Sequence, residues 1–120
     1  MYQVKFIKHV HSCFAGSSSS DVWLERLVKL PFPPYKGVSI QTDDLDVSIT
    51  DESEIYWKTE DSLFVVYVES NKEIYNLCLK NKAMMGNEST EKRFREIVED
   101  YLEDGWTLRE QDKNKFVLAN

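Results

Sequence analysis

Two histidines and a cysteine carry the first hint of chemistry: His9, His11 and Cys13 are spaced i, i+2, i+4. Side chains alternate faces along an extended strand, so all three project from one side if the strand runs that far. Imidazole and thiolate at that spacing can ligate zinc or copper. A closed structural zinc site takes four ligands, and the chain has no other histidine, so Cys78 or a carboxylate would have to arrive from elsewhere in the fold. The plainer reading is two ordinary histidines at a strand end beside a small, half-buried thiol. On that reading no metal and no cofactor is expected.

A nucleophilic pair can also be drawn from Cys13 or Cys78 with His9 or His11. Residues two or four apart on one strand rarely place a nucleophile and its base in line, and no local motif supports the pairing. Nothing in the chain matches G-x-S-x-G, H-E-x-x-H or a Walker A loop. Gly16, Gly37, Gly86 and Gly105 are isolated, so no backbone nest for phosphates can be written.

Asp43, Asp44, Asp46, Asp51, Glu52 and Glu54 form an acidic run that no basic residue interrupts. It lacks the central glycine and terminal glutamate of a calcium loop. It can instead face a basic partner, with Glu96, Glu99, Asp100, Glu103 and Asp104 adding to the same charge. Charged strand edges and helix backs also arise simply to stay solvated and to discourage aggregation.

The segment Pro31-Phe32-Pro33-Pro34-Tyr35-Lys36 holds a P-x-x-P pattern followed two residues later by lysine, the minimal ligand for aromatic-lined grooves. Flanking strands favour an ordered corner instead. Phe32 and Tyr35, if exposed beside Trp23, would mark a protein-contact patch.

The elements that must position these residues follow from periodicity. Tyr2, Val4 and Phe6 alternate with Gln3 and Lys5, which predicts a half-buried strand. Gly16 to Ser20 reads as a loop tip. Val22 to Leu30 leads straight into proline, which favours extended backbone, and is expected to pair with the first strand. Gly37 to Thr42 and Leu45 to Thr50 suggest a hairpin around Asp43-Asp44; Ile55 to Trp57 and Leu63 to Val68 suggest another. Leu63 to Val68 is apolar on both faces and is expected in the middle of the sheet. Ile74 to Leu79 fits strand or helix equally.

Phe94, Ile97, Val98, Tyr101 and Leu102 follow i, i+3, i+4, i+7, i+8, with Ser89 or Thr90 as N-cap and Gly105 at the position after the C-cap. Trp106 to Leu108 and Phe116 to Leu118 are expected to add strands, with Trp57 and Trp106 in the core and Met84-Met85-Gly86 closing a sheet end. The fold class is α+β: one domain over residues 1–120, a largely antiparallel sheet with one long C-terminal amphipathic helix packed on it.

Composition bounds the function. The chain has 120 residues, 42% hydrophobic, and a net charge of −6. Residues 1–40 carry a balance of +3 and residues 41–120 one of −9, so direct nucleic-acid binding is disfavoured. Lys5 and Lys8 interrupt any signal-peptide core, and no apolar stretch suits a membrane span. The two distant cysteines read as reduced thiols of a cytoplasmic protein. The expected function is a small acidic protein-binding module of the regulatory or accessory kind. Its partner would be another, basic protein or a second copy in a homodimer, touched through Phe32, Tyr35 and the acidic run. The alternatives are a small enzyme or ligand binder whose pocket lies between sheet and helix, using His9, His11 and a carboxylate, and a metal-binding domain using His9, His11 and Cys13.

Overall fold

The computed structural model describes residues 1–11, 21–80 and 88–113. Among the described residues, seven strands and two helices follow one another: β1 (Tyr2–Val10), β2 (Val22–Leu30), β3 (Ser39–Gln41), β4 (Asp46–Ser48), β5 (Glu54–Lys58), β6 (Leu63–Tyr67), α1 (Glu73–Lys80), α2 (Glu88–Glu103) and β7 (Thr107–Leu108). A 3-10 turn, Glu110–Asp112, follows β7. The fold is α+β. Five strands form one sheet in the order β5-β6-β1-β2-β7, and β3 and β4 form a separate two-stranded sheet. Among the described residues, no helix is long and apolar enough to cross a membrane.

The described residues gather into two compact units, Met1–Lys8 with Glu25–Glu69, and those of His9–Leu24 with Ser70–Asn120. In the first unit both expected hairpins are present. β5 pairs antiparallel with β6, Tyr56 opposite Val65, and β3 pairs antiparallel with β4, Ile40 opposite Val47. Leu45, Val47 and Ile49 are buried while Asp46 and Ser48 face water, the period of two that a one-sided strand requires. The proline segment is irregular, as three rigid φ angles and three missing donors dictate. Gly37 closes it with a φ of +97°, a conformation that L side chains rarely adopt.

Three expectations need correction here. The main sheet is mixed: β1 runs parallel to β6, Phe6 opposite Val66. The middle strand is β1, not β6, although β6 is internal. Val4 and Phe6 are fully buried on one face while Lys5 keeps its charged end near Glu25. Trp57, expected in the core, is 53% exposed; among the described residues β5 lies at the sheet edge, with β6 as its neighbour.

In the second unit the ambiguous segment is helical: α1 buries Ile74 and exposes Tyr75 and Leu79. Asn71 accepts the Glu73 N–H on its Oδ1 at 3.1 Å, an Asx turn that satisfies one backbone donor of the first helical turn. Helix α2 buries Thr90, Phe94, Ile97 and Val98 and contacts α1 and β7. It starts at Glu88, so Ser89 and Thr90 stand inside its first turn, not at the cap. Its end is as expected. Gly105 has a φ of +97°, its N–H reaches the Leu102 carbonyl, and the Trp106 N–H reaches that of Tyr101, the two bonds of a Schellman motif. Trp106 is buried and packs edge-on against Tyr101. The Gly16 to Ser20 loop, Met84-Met85-Gly86 and Phe116 to Leu118 lie outside the described residues.

Candidate metal centre

The second unit brings the two histidines and a carboxylate together. At the end of β1, Asn71 bridges Val10, donating its N–H to the His9 carbonyl and accepting the His11 N–H, both at 2.9 Å. Extended backbone on both sides of Val10 puts the imidazoles of His9 and His11 on one face, where His9 Nδ1 and His11 Nε2 stand 3.0 Å apart. Asp21, one residue ahead of β2, places Oδ2 at 3.5 Å from His9 Nε2. One ligand atom from each of the three lies within 4.8 Å of the others. Among the described residues no other group of three such side chains is this close.

Proton placement follows from the neighbours. A carboxylate beside His9 Nε2 favours a proton there, which leaves Nδ1 as acceptor and makes His11 Nε2 the donor. Burial holds the His9 pKa below its ordinary value, and the adjacent His11 lowers it further. The charges of Asp21 and Asp112 act in the opposite direction without reversing the shift. His9 is therefore neutral around pH 7, the form in which an imidazole can ligate a metal.

The floor of the site is Trp23. Its indole stacks on His9 with ring centres 4.4 Å apart and planes 16° from parallel. The Arg109 guanidinium lies over the same indole at 5.2 Å. Backbone bonds fix Trp23: its carbonyl accepts the Arg109 N–H at 2.9 Å and its N–H is held by Asp112 Oδ2 at 2.8 Å. Asp112 is fully buried in the 3-10 turn. Asn71 is equally connected, since its Nδ2 donates to the Tyr101 hydroxyl at 3.0 Å while its Oδ1 caps α1. The strand end carrying the histidines is thus tied to both helices.

Of the residues singled out in the sequence, His9 and His11 converge, whereas Cys13 lies outside the described residues and so does the side chain of Cys78. The acidic run does not converge on one point. Asp44 is held by Arg26 at 3.0 Å and by the Thr42 hydroxyl at 3.0 Å, and these bonds lower its pKa, Arg26 most. Asp46 faces water from β4, Asp51 and Glu52 occupy the turn before β5, and Glu54 accepts the Tyr56 hydroxyl. Phe32 and Tyr35 make a tilted ring contact at 5.9 Å, Tyr35 being exposed and Phe32 half-buried. A groove of about 410 Å³ in the first unit is lined by Lys5, Ile7, Glu25, Tyr56, Lys58, Val65 and Tyr67, with no histidine.

Asp21, Trp23, Asn71, Arg109 and Asp112 were not singled out from the sequence for this site. Only Asp21 had a signal: it stands directly before a strand expected to pair with β1, so the two ends of that connection must approach each other. No family model, curated protein or solved structure matches the chain.

Proposed function

We propose that this protein binds a first-row divalent metal ion, zinc foremost, through His9, His11 and Asp21. The observation that carries the reading is the 3.0 Å approach of the two imidazole nitrogens, with a carboxylate oxygen 3.5 Å from the His9 ring. Two nitrogens bound to one tetrahedral zinc at 2.0–2.1 Å stand roughly 3.3 Å apart, so the rings need open by only a few tenths of an ångström. Two imidazoles and a carboxylate form a donor set suited to zinc and its neighbours and not to calcium or magnesium. His9 can offer one nitrogen only, so Asp21 and His11 must close on the same edge of that ring. Asp21 sits beside the strand end and its side chain is 43% exposed, which leaves it room to turn.

Metal analysis of protein purified without a metal-affinity tag tests this. The expected result is close to one equivalent of zinc, removable by a chelator with a fall in thermal stability. Substoichiometric metal after zinc loading, with a melting curve indifferent to chelator, would sink the reading.

A second reading is a cytoplasmic protein-binding module. It is supported by the exposure of Tyr35 beside Phe32 and of the whole acidic run, Asp43, Asp44, Asp46, Asp51, Glu52 and Glu54. Capture of a basic protein that is lost on replacing Tyr35 by Ser would favour it, and capture unaffected by that change and by neutralising the acidic run would count against it.

A further inference from the structure

Strand β5 is an edge strand with an unusual composition for one. It reads Glu54-Ile55-Tyr56-Trp57-Lys58, and on the sheet side every residue has a partner in β6, from Glu54 opposite Tyr67 to Lys58 opposite Leu63. On the other side, among the described residues, it has no neighbour in the sheet order. Tyr56 is 50% exposed and Trp57 53%, so the edge presents two large aromatic side chains to water. Exposed aromatic edges of this kind are templates for further strand pairing.

The sequence of β5 is complementary to itself in the antiparallel sense. A second copy laid antiparallel with Tyr56 opposite Tyr56 sets each Glu54 against the other copy's Lys58 and each Ile55 against the other copy's Trp57. Charge meets opposite charge at both ends, and apolar meets apolar between them. Residues 54, 56 and 58 share one face of the strand and residues 55 and 57 the other, so the match holds on both faces at once. A one-residue slip would break every one of these pairs. The two charges are available for exchange. Lys58 pairs with Asp61 at 3.4 Å, both about half exposed, a contact that water and salt screen, and Glu54 is exposed while accepting the Tyr56 hydroxyl.

We infer that the occupant of this edge is a second copy of the same chain, joined β5 to β5 about a two-fold axis through Tyr56. The interface is isologous, as closed dimers require, and extends the five-stranded sheet to one of twice that width. It stands independently of the metal reading, since none of its residues belongs to the histidine site.

Sedimentation equilibrium on the full chain, from micromolar to millimolar concentration, tests it together with a charge swap. The wild-type chain is expected to dimerise. Lys58→Glu sets two like-charged pairs across the two-fold and weakens the dimer by on the order of tenfold or more. Glu54→Lys does the same. The double exchange Glu54→Lys/Lys58→Glu restores complementarity and returns the dissociation constant to near the wild-type value. Circular dichroism confirms that each variant is folded, as surface substitutions on an edge allow. A wild-type chain that stays monomeric throughout would show that Glu54 and Lys58 guard the edge instead of joining it, and overturns the inference. So does a dimer indifferent to both single reversals, or one that the double exchange fails to rescue.

Discussion

The buried carboxylate of Asp112 accepts the backbone N–H of Trp23 at 2.8 Å, across 89 residues of sequence. Through this bond a 3-10 turn late in the chain fixes the indole on which His9 rests. The candidate metal centre therefore rests in part on a residue outside its three candidate ligands.

Replacing Asp112 by Ala removes the acceptor and leaves a Trp23 N–H without it in a water-poor setting. The expected cost is about 1–3 kcal/mol of folding stability. Zinc affinity should fall with it, because His9 loses a fixed floor. Asp112→Asn, which keeps an acceptor oxygen, should lose less of both. Urea unfolding and zinc titration of the two variants measure the difference.

Asn71 joins three elements, so its two side-chain bonds can be separated. Asn71→Ala loses the α1 cap and the bond to Tyr101 and should cost roughly 1–2 kcal/mol. Asn71→Asp keeps the cap acceptor and loses the donor to Tyr101, so it should retain more than half of that stability. Chemical denaturation curves with equal slopes for the three proteins would give the comparison.

How much of this was legible is best seen at the histidines and the carboxylate. The pairing of His9 and His11 could be read because a strand has a fixed period of two, and that period needs no tertiary information. Asp21 as the third member was only half legible: its place just before β2 put it near the end of β1, but its reach depends on a register that residue spacing does not reveal. The parallel pairing of β1 with β6 was hidden for a related reason. No local feature of Tyr2–Val10 distinguishes a parallel from an antiparallel neighbour. Trp57 was misplaced because an aromatic in a strand is equally at home in a core and on an edge. The helix end at Gly105 was legible down to the residue, since a left-handed turn after an amphipathic run leaves few other choices.

That helix end makes its own prediction. Gly105→Ala forces a Cβ into a φ of +97° and should destabilise the fold by about 1 kcal/mol, through the loss of the Schellman bonds to Leu102 and Tyr101. Thermal unfolding by calorimetry reads it directly.

The His9 imidazole sets the pH dependence. Its folded pKa lies below the ordinary histidine value of 6.5, burial being the main cause. Below 6.5 the unfolded chain takes up a proton that the folded chain resists, so the unfolded state binds more protons there. His9 thus contributes stability that is present above 6.5 and lost as pH falls from 6.5 through the lowered folded value. His9→Gln should flatten the decline of unfolding free energy over that interval while leaving the neutral-to-alkaline range parallel to wild type. Unfolding curves at stepped pH, with chelator present, test the sign.

The central claim is that His9, His11 and Asp21 share one metal ion. The most direct test is titration of the apo protein with cobalt(II), whose visible absorption reports ligand number and type, followed by displacement with zinc. Saturation is expected at one equivalent with a nitrogen–oxygen ligand spectrum, much weakened binding in His11→Gln and Asp21→Asn, and stoichiometric loss of the signal on adding zinc. Absence of a saturable spectrum in the wild-type chain, or one left unchanged by both substitutions, would contradict it.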